Sequence, residues 1–264
     1  EEKYSGIKCH DGFPFLSIKA IYDAFSLTNS DIDLIAYSSL QSSPRYFFTK
    51  RNSSFTVQDY IKEQHEYWKP LLVEGVKNSY TDIFKEKINY DDLPYDLSLI
   101  SDEDDWRGLL NARIAHASSY FEIDPQKIIF FDHHNCHAYY GYRSHPDYSN
   151  KPLLVITVDG GCDGANASIS VSSPNSHTLE EIFRTDRCNI GRMYRYATLL
   201  LGMRPADHEY KVMGLAAYNS HKYGEEAYNI YSNTLINNGL DFAYKNNISD
   251  HYFYFKDKLE GCRF

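Results

Sequence analysis

Apolar residues recur at helical spacing from Phe13 to about Thr28, at Leu16, Ile18, Ala20, Ile21, Ala24 and Phe25. A polar turn follows, and then a short apolar run, Leu34-Ile35-Ala36-Tyr37, of strand length. Helix, turn and buried strand in that order predict an α/β architecture. From Leu40 to about Asp105 the pattern loosens. Ser42-Ser43-Pro44 and Arg51-Asn52-Ser53-Ser54 read as loops, and residues 57–72 read as an amphipathic helix carrying Tyr60, Ile61, Tyr67, Trp68 and Leu71. Residues 41–105 are expected to form a mostly helical insertion or lid, with a partner-binding surface as the alternative. Helical periodicity returns from Trp106 to Tyr120, with Leu109, Leu110, Ile114 and Ala117 on one face, and Ile123-Asp124-Pro125 ends it.

The next stretch carries the first chemistry. Ile128-Ile129-Phe130-Phe131 is strand-like and stops at Asp132, a good N-cap, so a helix is expected to begin at once. On that helix His133 and His137 stand four residues apart, which puts both imidazoles on one face about 6 Å apart and within reach of one metal ion. His134 is a third imidazole beside them. A strand end feeding a helix N-terminus is also where open α/β sheets place ligands. The competing reading is a polar helical turn whose histidines bond only to backbone or water.

A second informative stretch runs from Pro152 to Val171. A buried strand to Asp159, a Gly/Asp turn and a second strand make a hairpin. Gly160 and Gly161 let backbone N–H groups approach a phosphate, and Asp159 is placed to hold a metal, a water or a ribose hydroxyl. A tight turn whose residues serve geometry alone is the bland alternative. A third strand is expected at Leu179–Arg184, then a helix from Met193 to Leu201 stopped by Gly202. In Glu209–Tyr218, Lys211 lies three residues before Gly214 and can reach an anionic ligand, although an exposed helical lysine is commoner. Helix and an Asn-rich tail are expected beyond Asn219.

Composition narrows the picture. The 264 residues are 42% hydrophobic and 24% charged, ordinary for a globular protein with room for one large or two small domains. A formal net charge of −9 argues against a nucleic-acid or anionic-membrane surface. Five cysteines without CxxC spacing argue against a disulfide framework and for a reduced, cytoplasmic setting. No apolar run approaches the ~18 residues of a membrane span. The chain opens Glu-Glu-Lys-Tyr without methionine and is expected to be a fragment of a longer protein.

Four stretches in this order resemble the O-carbamoyltransferases of the NodU/CmcH family. Glu1–Lys8 resembles the family's EERFSRIKH segment, and Asp132–Ala138 its DHHLAHA motif. Val158-Asp159-Gly160-Gly161 is similar to its VDGxGE hairpin, and Tyr210–Ala216 to GKVMGLA, with Tyr210 in place of the usual Gly. The resemblance implies an actin-like ATPase (ASKHA) fold, a mixed β-sheet flanked by helices, with residues 128–218 as the metal- and nucleotide-binding core. It implies transfer of a carbamoyl group to a hydroxyl of a small-molecule acceptor, a sugar or natural product. The donor would be carbamoyl-adenylate, made from ATP and carbamoyl phosphate in a YrdC-like C-terminal domain that this chain lacks. By the motif match His133 and His137 would bind a divalent metal, iron first and zinc second, and Lys8 and Asp159 would contact the nucleotide. His134 would hydrogen-bond the reacting group or act as base. Gly161-Cys162-Asp163 departs from GxGE, and the family's opening HDSA strand and a further aspartate ligand would lie outside residues 1–264. The fragment alone is therefore expected to be incomplete as an enzyme, and a homodimer is compatible with the sequence. The alternatives are another actin-fold enzyme, a small-molecule kinase or threonylcarbamoyl transferase, and a non-catalytic nucleotide-binding domain.

Overall fold

The computed structural model describes residues 1–148, 150–219, 221–245, 248 and 250–260. The chain is a mixed α/β protein of helices and small sheets. It divides into two compact units. The first holds Glu1–Ser54, Ser79–Leu153 and Cys162–Gly164, and the second Phe55–Asn78, Leu154–Gly161 and Ala165–Phe264. Among the described residues no helix is long and apolar enough to cross a membrane.

The first unit is built on two short parallel strands, β1 (Ile35–Tyr37) and β2 (Ile128–Phe130), paired Ile35 to Ile128 and Tyr37 to Phe130. Parallel pairing needs a long crossover, and the helix Trp106–Phe121 lies within it. Three helices accompany the strands: α1 (Phe15–Phe25), α2 (Trp106–Phe121) and α3 (His133–Ser144). Asp105 starts α2 by accepting from the Gly108 N–H at 2.8 Å. The apolar side of α2 packs Ala117 and Phe121 against Phe13, Ile123 and Ile128, while Leu109 and Ala112 form a second cluster with Tyr95. The helices predicted at residues 13–28 and 106–120, and both strands, are thus present.

Ser42 and Ser43 lie outside helix as read, but Pro44 opens a short helix, Pro44–Phe48, and Arg51–Ser54, read as a loop, is helical instead. Their stability comes from distant partners. Arg45 pairs with Asp104, and the Asp11 carboxylate accepts from the backbone N–H groups of Asn52 (2.8 Å) and Ser53 (3.1 Å).

In the second unit residues 57–74 are helical throughout, an α-helical Val57–Lys62 continued by wider π-type turns, so the predicted helix is there. A Thr56/Asp59 capping box starts it. The sheet runs in the order β3 (Leu153–Cys162), β4 (Ala165–Ser172), β5 (Glu180–Thr185), with β4 and β5 antiparallel. The hairpin turn lies later than the sequence suggested. β3 continues through Gly160 and Gly161, and the turn is Asp163-Gly164, both at positive φ (50° and 74°), the geometry an Asp-Gly pair adopts in a two-residue hairpin. Helices α4 (Ile190–Leu200) and α5 (Glu209–Ala216) follow, and Gly202 at φ 72° stops the first. The tail is richer than expected. After α6 (His221–Ser232) come a hairpin of β6 (Leu235–Asn238) and β7 (Asp241–Tyr244) and a final helix α7 (His251–Leu259).

Candidate functional site

The site begins where β2 ends. Asp132 accepts from the Asn135 N–H at 2.9 Å and starts α3, as its side chain predicts. One turn of helix then brings the rings of His133 and His137 together, with their Nε2 atoms 3.0 Å apart. The Nδ1 of His133 lies 3.2 Å from the carbonyl oxygen of Ser38. A carbonyl only accepts, so Nδ1 carries the proton and the Nε2 lone pair is left facing His137. A ligating histidine is held in the same way, one nitrogen donating to a backbone carbonyl and the other presented to the ion.

The spacing fits a metal. Two nitrogens each about 2.1 Å from one ion lie roughly 3.0–3.4 Å apart for bond angles between a right angle and a tetrahedral one. The donor set, two imidazoles, suits a divalent transition metal. The metal-free alternative also has a definite form: His137 protonated on Nε2 and donating to His133. His134 is fully buried beside the pair, its ring 5.9 Å from that of His133 and 6.4 Å from that of His137. Burial pushes the neighbouring Cys136 thiol up, and Asp132 and Asp163 add to the effect, so this cysteine stays a thiol.

One carboxylate holds this corner of the first unit together. Asp163, 8% exposed, accepts from the His133 N–H at 2.8 Å, from the Leu40 N–H at 2.9 Å and from the Gln41 N–H at 2.5 Å. The Ser39 hydroxyl is a longer contact at 3.4 Å. The N-terminus of α3 and the loop after β1 thus form an anion-binding nest that the chain fills with its own side chain. This fixes Ser38, and through it the His133 ring.

Lys8 lies in the first unit on an exposed turn, paired with Glu2 at 3.4 Å. The remaining predicted residues belong to the second unit. Asp159 is half-buried in β3, while Gly160 and Gly161 are exposed in the same strand. The N-terminal turn of α4 packs closely here. A Cβ built on Gly191 would lie 3.4 Å from the Gly160 Cα, and Arg192 Nε donates to the Gly160 carbonyl at 3.1 Å. Lys211 is exposed on α5, its ammonium over the ring of Tyr210.

Comparison with known proteins agrees with these motifs. Residues 1–263 match the family described as the carbamoyltransferase N-terminus. The chain belongs to that family. An uncharacterized protein of Methanocaldococcus jannaschii is 37% identical over 106 residues, 40% of this chain and 19% of the relative. The nodulation protein NolNO of Sinorhizobium fredii is 30% identical over 118 residues, 45% of this chain and 17% of the relative. Each alignment thus covers under a fifth of the relative's length.

Within this carbamoyltransferase N-terminal region, the structure assigns a role to Asp163 that its sequence position did not. It is the turn residue of the hairpin and the acceptor for the histidine helix.

Proposed function

We propose that the chain is the transferase part of an ATP-dependent O-carbamoyltransferase with an actin-like fold, passing a carbamoyl group from carbamoyl-adenylate to a hydroxyl of a small-molecule acceptor. The observation that carries the chemistry is the facing pair of Nε2 atoms on α3, 3.0 Å apart, with the His133 tautomer set by Ser38. Family membership over residues 1–263 supports the reaction class.

His133 and His137 would hold a divalent metal, iron in the first instance. An ion held there would supply Lewis-acid polarisation of the carbamoyl carbonyl. By the motif match Lys8, Lys211 and Asp159 would contact the nucleotide, the lysines offsetting phosphate charge. Gly160 and Gly161, with no Cβ, allow the backbone close to it. In the transfer, the acceptor oxygen forms a bond to the carbamoyl carbon, the bond from that carbon to the adenylate phosphate oxygen breaks, and AMP leaves. The hydroxyl proton goes to His134, whose burial keeps competing water away from the ring.

The test is metal analysis of the purified chain as wild type and as His133→Ala/His137→Ala, followed by assay of the full-length protein with ATP, carbamoyl phosphate and hydroxyl acceptors. About one ion per chain, lost in the variant, and an acceptor heavier by a carbamoyl group are expected. Equal metal content in both proteins would sink the ligand assignment, and an unmodified acceptor would sink the reaction.

A further inference from the structure

Arg113 projects from α2 towards the carboxyl ends of β1 and β2, where Tyr37 and Phe130 stack at 4.6 Å with their rings nearly parallel. Its guanidinium carbon lies 4.4 Å from the Tyr37 ring centroid and 5.0 Å from that of Phe130. The aromatic faces cover the cation and fix its plane. Among the described residues no carboxylate pairs with it and no acceptor receives a hydrogen bond from it, and its Nε is buried without a partner. Half-buried arginines are ordinarily matched with a carboxylate or carbonyls, because an unmatched desolvated charge is costly.

The neighbours do not resolve the mismatch. Burial raises the Tyr95 hydroxyl to about 12, and burial raises that of Tyr37 as well, so both phenols are neutral at physiological pH. Asp163 is close enough to act on the charge, yet its oxygens are taken by the Leu40, Gln41 and His133 amides. Burial pushes the Arg113 pKa down and Tyr95, Tyr37, Asp163 and Cys162 offset part of this. A guanidinium remains protonated all the same. What the corner offers is a rigid, charged, planar donor with unused N–H groups at the carboxyl end of a parallel strand pair, where α/β folds take ligands.

We propose that Arg113 is an anion-binding residue, its free guanidinium N–H groups receiving a phosphate group of a small-molecule ligand beside the histidine helix. In identifying that phosphate with the carbamoyl donor or its adenylate, the proposal rests on the carbamoyl-transfer reading above; phosphate binding by Arg113 as such does not.

The experiment is calorimetric titration of the purified chain with inorganic phosphate, carbamoyl phosphate and AMP, for wild type, Arg113→Met and Arg113→Lys. Methionine keeps an apolar stem against the two rings, and lysine keeps the charge but loses the fork. Methionine is expected to weaken binding by about tenfold or more, with lysine between, while metal content is unchanged. Loss confined to inorganic and carbamoyl phosphate assigns the site to the donor phosphate, and loss confined to AMP assigns it to the nucleotide. A second measurement needs no variant: phosphate should slow modification of Arg113 by phenylglyoxal in the wild-type chain. Wild type that binds none of the three ligands, or variants that bind all three as wild type does, or modification at the same rate with and without phosphate, would each overturn the proposal. Failure of carbamoyl transfer in the full-length protein with phosphate binding intact would remove the functional reading and leave Arg113 as an anion site.

Discussion

Replacing Asp163 with alanine should damage the first unit more than any surface substitution, and the structure gives the size of the effect. Its carboxylate receives three backbone N–H groups, from Leu40, Gln41 and His133, and is 8% exposed. A hydrogen bond to a charged group contributes about 1.5–3 kcal/mol, and a negative charge at a helix N-terminus about 0.3–1 kcal/mol more. The bonds share one acceptor and are not additive, and water entering the vacated space recovers part of the loss. A cost of about 3–5 kcal/mol follows for Asp163→Ala. Asp163→Asn keeps one acceptor oxygen but turns an NH₂ towards N–H donors, so about 2 kcal/mol is expected. Urea denaturation measures the loss, and hydrogen exchange at Leu40, Gln41 and His133 locates it. The control is Asp23→Ala, whose partner Lys19 is held at 2.7 Å on an exposed helix face and should matter little. If Asp163→Ala stays within about 1 kcal/mol of wild type with those amides still protected, the nest does not hold the histidine helix and the argument fails.

Two further perturbations test other parts of the structure. His116 is packed edge-on by Phe13 at 4.5 Å and by Tyr95 at 5.6 Å, its Nε2 is buried with no partner among the described residues, and burial pushes its pKa below the ordinary value. A base whose pKa is depressed on folding contributes stability above its unfolded value near 6.5, lost as pH falls through the folded pKa. His116→Phe should therefore remove a stability decrease below about pH 6.5 seen in wild type, and parallel pH profiles for the two proteins would contradict this. In β3, Gly161 has φ 119° and a Cβ there would meet Arg192 Nη2 at 3.1 Å, whereas one on Gly160 meets nothing. Gly161→Ala should cost about 1–2 kcal/mol and Gly160→Ala under about 0.5 kcal/mol in thermal or urea unfolding. Equal losses would refute the strain argument, while a Gly160→Ala variant of normal stability and weakened AMP binding would support the nucleotide contact.

The parts of this protein that the sequence announces are those whose cause is local. Asp132 caps the helix that carries His133 and His137 because N-capping acts across three residues, and the 3.0 Å meeting of the two rings follows from the four-residue spacing. The strand pair was legible as two apolar runs, each stopped by polar residues. What stayed hidden is long-range. Asp163 acts on residues 122 and 123 positions earlier, the Arg51–Ser54 helix is capped by Asp11 from 41 positions away, and Arg113 owes its setting to two rings on separate strands. The hairpin shows why the turn was misplaced. Gly160-Gly161 and Asp163-Gly164 are both turn-forming pairs in isolation, and only the second supplies the positive φ at both positions that brings β4 back along β3. That choice has a chemical consequence. Putting the turn at Asp163 leaves Asp159, Gly160 and Gly161 in extended chain rather than at a loop tip, and makes the turn residue itself the acceptor for the His133 amide. Asp163, where the chain departs from the GxGE pattern, is thus the carboxylate that receives the N-terminus of the helix carrying the paired histidines.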